Sequence, residues 1–156
     1  MRYKMLCAMS ILLVFMLIAT EPAKAEAKED CEELIQVARE VSNQLPLQVD
    51  YMTRMVAMNA VYLRGHCVVS FGYSVDEDAL IKEIQYSVQS RTGSTPSKHE
   101  IIRHLNSEAG RQELREAVFL NLPPNLRELA EWPLFILQMT YSYTGANIKP
   151  FFIELD

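Results

Sequence analysis

Apolar residues recur at three- and four-residue steps from Cys31 through Leu34, Ile35, Ala38 and Val41 to Leu45. Glu32, Glu33, Gln36, Arg39 and Glu40 fill the other side, which predicts an amphipathic helix. Asp30 stands where a cap belongs, and Pro46 ends the helix because the residue before a proline is pushed out of helical space. Residues 26–30 read as a mobile charged leader ahead of it. Val49 to Val61 (VDYMTRMVAMNAV) fits both a strand and a helix. A strand is preferred, because Gly65 offers a turn into a segment of strict alternation. There Cys67, Val69, Phe71, Tyr73 and Val75 share one face, and His66, Val68, Ser70, Gly72 and Ser74 share the other.

Helical spacing returns after Val75. Ser74-x-x-Glu77 reads as a capping box, followed by the stripe Leu80, Ile81, Ile84 and Val88. Ser97-x-x-Glu100 opens a short helix with Ile101, Ile102 and Leu105, and Glu108 to Leu120 forms another. Pro123-Pro124 stops that helix, and Asn125 is placed to cap a last turn, LRELAEW. Two alternating segments close the chain, LFILQMTYSY and IKPFFIEL, joined by TGAN. Pro150 cannot donate a ladder hydrogen bond, so the last strand belongs at an edge. The pattern predicts an α+β domain in the order α-β-β-α-α-α-β-β. Its sheet has about four antiparallel strands in two hairpins, with helices packed on one face.

The N-terminus changes the picture from a fold to an address. A basic MRYK precedes an apolar run from Met5 to Ala19, short of the roughly 20 residues that span a bilayer. Ala23-Lys24-Ala25 then supplies an A-x-A site, the layout of a cleavable export signal over residues 1–25. A retained anchor is the alternative. Cleavage leaves a single domain over 31–156 behind the leader, without a membrane span. The expected compartment is the periplasm, or the extracellular medium. Loss of Arg2, Lys4, Lys24 and Glu21 takes the net charge from −5 to −7. That sign argues against nucleic acid and anionic lipid, and favours a basic partner if any.

Two cysteines then remain, Cys31 on the helix stripe and Cys67 on the inward strand face. Both point into one core, which predicts a structural disulfide clipping helix to sheet. A redox or metal-bound thiol would need a CxxC pair or an electropositive setting, and neither is visible. His99 and His104 lie about 140° apart around a helix and share no face, whereas Glu100 and His104 can touch. Met52, Met55 and Met58 have the spacing of a soft Cu(I) site, but on a strand residues three apart face opposite ways. No G-x-S-x-G elbow and no phosphate-cradling glycine loop is present. The chemistry predicted is therefore non-enzymatic and without a cofactor. Trp132, Phe135, Tyr141, Tyr143, Phe151 and Phe152 concentrate aromatic area in the closing hairpin, most of it core. Phe151 and Phe152 are neighbours on a strand, so one of them faces out, and Tyr141, Tyr143, Phe151 and Phe152 are the residues expected to supply a partner contact there.

The segment LPLQVDYMT, with its Pro46-x-x-Val49-Asp50-x-x-Thr53 spacing, precedes CVVSFGYSV and the closing MTYSYTGANIKPFFIEL. In these features the chain resembles small exported bacterial α+β proteins without an assigned activity. It departs from them in carrying no cysteine in the middle helices or at the C-terminus. The resemblance implies a fold and an address. The function expected is a soluble periplasmic binding or accessory protein acting through a protein partner, as an immunity or inhibitor protein or an envelope-apparatus assembly factor. The alternatives are a periplasmic Cu(I)-binding protein using Met52, Met55 and Met58, and a small envelope hydrolase with paired carboxylates.

Strand alternation also separates His66 from its neighbour Cys67. Cys67→Ser should lower the unfolding free energy by about 3–4 kcal/mol, the loop-entropy value for a clip of this span. His66→Ala should stay within about 0.5 kcal/mol of the parent. Urea denaturation of both variants checks the pair.

Overall fold

Strict alternation between His66 and Val75 marks the strand at the middle of the sheet. The computed structural model describes residues 27–132 and 134–155. Its elements run α1 (Ala27–Ser42), β1 (Leu47–Gln48), β2 (Thr53–Leu63), β3 (His66–Val75), α2 (Glu77–Thr92), α3 (Lys98–Leu105), α4 (Glu108–Leu120), α5 (Pro124–Ala130), β4 (Phe135–Tyr143) and β5 (Phe151–Leu155). The export signal expected over residues 1–25 lies outside the described residues. The strands form one sheet in the order β1-β2-β3-β4-β5. All neighbours are antiparallel except β3 and β4, which run parallel.

The four-stranded antiparallel sheet is thus corrected to a five-stranded mixed one, and the order to α-β-β-β-α-α-α-α-β-β. Period-two alternation says which side chains share a face, not which way a neighbour runs. Four helices return the chain to the end of the sheet where β3 begins, and there the Cys67 N–H donates to the Leu134 carbonyl at 2.7 Å. From that point β4 can only follow β3 in parallel, with Cys67 beside Phe135 and Val75 beside Tyr143. β1 is too short to show a period. The stretch from Pro124 makes a seven-residue helix where a last turn capped by Asn125 was expected.

Local chemistry accounts for most boundaries. Helix α1 is described from Ala27, so residues 27–30 of the expected leader are helical, with Glu29 and Asp30 in its first described turn. Strand, not helix, follows, but from Thr53 instead of Val49. The Asp50 carboxylate accepts the N–H groups of Met52 and Thr53 and holds the preceding residues in a turn. Asp76, not Ser74, caps α2 by accepting from the Ala79 N–H, because strand β3 already claims Ser74. The Ser97–Glu100 box is present on α3. Pro123 occupies the N-cap of α5 with no side-chain cap, so Asn125 lies inside the helix.

One face of the sheet carries the main core. Cys31, Leu34 and Ala38 from α1 and Leu126 and Leu129 from α5 pack on Met55, Met58, Val69, Phe71, Leu137, Met139, Phe151 and Ile153. Cys31 and Cys67 form a disulfide across this interface, with Cα atoms 5.4 Å apart and no solvent exposure at either residue. Helices α2 and α3 build a second, smaller cluster from Ile81, Ile101, Leu105 and Ile148, and Leu114 of α4 packs against both. The helices therefore do not share one core.

The second cluster has a polar anchor that no local pattern announces. Glu77, in the first turn of α2, is 1 % exposed. Its carboxylate accepts from the Asn147 N–H (3.0 Å), the Asn147 side-chain amide (2.6 Å) and the Ile148 N–H (3.2 Å). These bonds tie the β4–β5 loop to the start of α2 and satisfy a buried charge at a helix N-terminus. A Cβ on Gly145 would fall into the Glu77 carboxylate. Gly145→Ala should therefore cost about 1–3 kcal/mol of stability. Chemical denaturation should show that cost shrinking in a Glu77→Ala background, where the obstructing carboxylate is gone.

Candidate functional site

Of the four aromatic residues named for a partner contact, one faces outward and the others pack inward. Phe71, Tyr73, Tyr141 and Phe151 come from adjacent strands and stack across the inner face, with centroids 6.3, 4.9 and 4.8 Å apart. Phe151 is buried, and Tyr141 packs against the main core. Tyr143 lies between the two clusters, partly buried. Phe152 alone takes the outward place, at 47 % exposure. The reason is the β4–β5 register, which sets Tyr141 opposite Phe151 and Thr140 opposite Phe152.

The methionine spacing also resolves differently from plain alternation. A bulge between Met55 and Ala57 inserts a residue into β2, so Met55 and Met58 turn to the same, inner face. Both are packed in the core at 6 % exposure, while Met52 sits in the turn before the strand. The histidines are scattered. His66 approaches the Arg64 carbonyl through Nδ1 at 3.3 Å. His104 pairs with Glu113 at 2.9 Å instead of Glu100, whose carboxylate is held by Ser97. Among the described residues no group of three or more His, Cys, Asp or Glu is placed to hold a metal ion.

What the sheet does present is its second face. Nothing among the described residues packs across it, and the register maps it row by row. Val61, Val68 and Ile136 form one cross-strand row. Leu63 and His66 form the next toward the hairpin end, beside exposed Leu134. Val61 and Leu63 are 42 % and 55 % exposed. Below them run Asn59, Ser70, Gln138 and Glu154, linked by hydrogen bonds from Ser70 to Gln138 (3.0 Å) and from Gln138 to Glu154 (2.8 Å). Then come Ala57, Gly72, Thr140 and Phe152. An aliphatic patch at one end thus borders a hydrogen-bonded polar row. The sequence carried a signal for it: NAVYL, CVV and LFIL are apolar on both strand faces, which requires either a second covering layer or exposed apolar surface.

Two hollows flank the sheet. A groove of about 320 Å³ lies between α1 and the edge of β2, lined by Ile35, Ala38, Arg39, Ser42, Met58 and Ala60. A wider one of about 490 Å³ lies between Tyr51 and Tyr86 over the start of α2. Its carboxylates are already engaged: Asp76 caps α2, Asp78 meets Lys98 at 2.7 Å, and Glu83 accepts from the Tyr51 hydroxyl at 2.7 Å.

No family model matches this chain, and no curated protein matches it. Among solved structures it is similar to the crystal structure of a protein from Pseudomonas aeruginosa described as one expected to be secreted. The two share 16 % identity over 86 % of this chain and 95 % of that one, with a TM-score of 0.36. No helix among the described residues is long and apolar enough to cross a membrane.

The stacked phenols give the inner face a pH signature. Burial pushes Tyr73 and Tyr143 up to about 12, and burial followed by the neighbouring phenols raises Tyr141 as well. The unfolded chain ionises near 10, so above that pH it binds fewer protons than the folded chain and stability falls. Denaturation midpoints should be insensitive to these groups below pH 10 and decline between about pH 10 and 12. Tyr73→Phe should blunt the decline, and phenolate absorbance should show these groups titrating late.

Proposed function

We propose that this chain is an exported accessory protein of the bacterial envelope, acting by binding another protein and not by catalysis. The observation that carries the reading is the aliphatic patch on the uncovered sheet face, Val61, Leu63, Val68 and Ile136. Contiguous apolar surface bordered by polar groups is the composition of a protein-binding patch, with the polar row as its rim. A disulfide clip with both sulfurs out of solvent suits an oxidising compartment, in line with the A-x-A export signal in the sequence. Within this reading, an immunity or inhibitor role and an envelope-assembly role are the two tasks that a small binding domain in the periplasm would perform.

Affinity capture from an envelope fraction, with the disulfide intact, tests it. One stoichiometric partner is expected, and Val61→Asp with Ile136→Asp should abolish its recovery while leaving the thermal midpoint near that of the parent. Recovery of the same partner at the same yield by the double variant would overturn the reading.

A further inference from the structure

We propose that the free edge of β2 takes an extended peptide strand from the partner, with a peptide carboxylate meeting Arg39. This rests on the protein-binding reading above and names how the contact is made. The two-residue turn Arg64–Gly65 has positive φ at both positions, 51° and 87°. A turn of that kind closes Leu63 and His66 as a pair exchanging both backbone hydrogen bonds. Counting back along the antiparallel register, Val61 and Asn59 are also bonded to β3, whereas Tyr62, Ala60 and Met58 turn their N–H and C=O groups away from it.

The Met58 carbonyl confirms that direction, since the Ser42 hydroxyl of α1 donates to it at 2.9 Å. β1 covers only Arg54 and Met55. From Val56 to Leu63 the edge is uncovered by strand, and the outward groups of Ala60 and Tyr62 have no backbone partner among the described residues. The opposite edge, β5, is five residues long and begins directly after Pro150. An open edge is a ready template for another strand, and proteins that do not use one shorten it, charge it or cover it.

The groove beside this edge says what kind of strand fits. Small apolar side chains of the incoming strand would lie over Ile35, Ala38, Met58 and Ala60. Among the groove residues, which also include Asn43 and Asn59, there is one cation, Arg39, and no carboxylate, in a chain of net charge −5. No carboxylate pairs with Arg39 among the described residues. An anionic side chain flanked by small apolar ones at alternate positions is the complement.

The probe is the capped peptide Thr-Val-Thr-Glu-Thr-Val-Thr, titrated into labelled protein and followed by backbone amide resonances. The expected result is shifts and slowed hydrogen exchange at Ala60 and Tyr62, stronger than at Asn59 and Val61. Placing Lys for Glu in the peptide, or Arg39→Ala in the protein, should weaken binding about fivefold, and Arg39→Glu should reverse the preference in favour of the Lys peptide. N-methylation of alternate peptide amides should weaken it about tenfold without touching the protein.

Absence of shifts at millimolar peptide, equal binding of the Lys and Glu peptides, or a dimer of this chain formed through β2 would each overturn the proposal. If the peptide fails while capture still depends on Val61 and Ile136, strand addition alone falls. If the peptide binds and capture is indifferent to those residues, the open-face reading falls instead.

Discussion

The disulfide between Cys31 and Cys67 is the constraint on which the architecture turns. It joins the first helix to the sheet's central strand and thereby decides which face of the sheet is inside. Once α1 is held over Cys67, every second residue of β3 is committed to the core, and the pairing on both sides carries that choice across to β2 and β4. The opposite face inherits what remains, including an aliphatic row that no described element covers. The surface and the core are thus two results of a single choice of face.

A second constraint comes from a charge. The parallel placement of β4 beside β3 requires the chain to leave the sheet and return, and the excursion must be anchored where it departs. Glu77 does this at the first turn of α2, gathering the Asn147 and Ile148 amides from a loop about seventy residues later in sequence. A carboxylate with several amide donors at a helix N-terminus is compensated for its loss of water. The small cluster around Ile148 then packs against a loop that the carboxylate has already ordered.

The accessible parts of the molecule follow from interruptions in its regularity. The bulge in β2 draws Met55 and Met58 inward together, removing a thioether pair from the surface and leaving Val56 outside. The brevity of β1 leaves most of β2 unpaired on one side among the described residues. The tight Arg64–Gly65 turn fixes which of its backbone groups look outward. Edge, groove and apolar rows meet along this one strand, so β2 is the element through which the proposed contacts would be made.

Much of this was legible in the chain. Helical and strand periods located α1, β3 and the closing strands. The inward residues of β3 followed from alternation, and the two cysteines on inward stripes pointed to their own pairing. These features depend on neighbours within a few residues, where spacing alone determines facing. The direction of β4, the two-residue β1, the bulge and the bonds of Glu77 depend on residues far apart in sequence, and no local period encodes them. Which of the closing aromatics lie inside depends on distant residues too: the pairing of β4 with β3 and of β5 with β4 stacks Tyr141 on Phe151 in the core and leaves Phe152 outside. By itself the sequence determined which residues share a face. The tertiary structure decided which face is covered, because covering is a contact between elements and each element's pattern describes only itself.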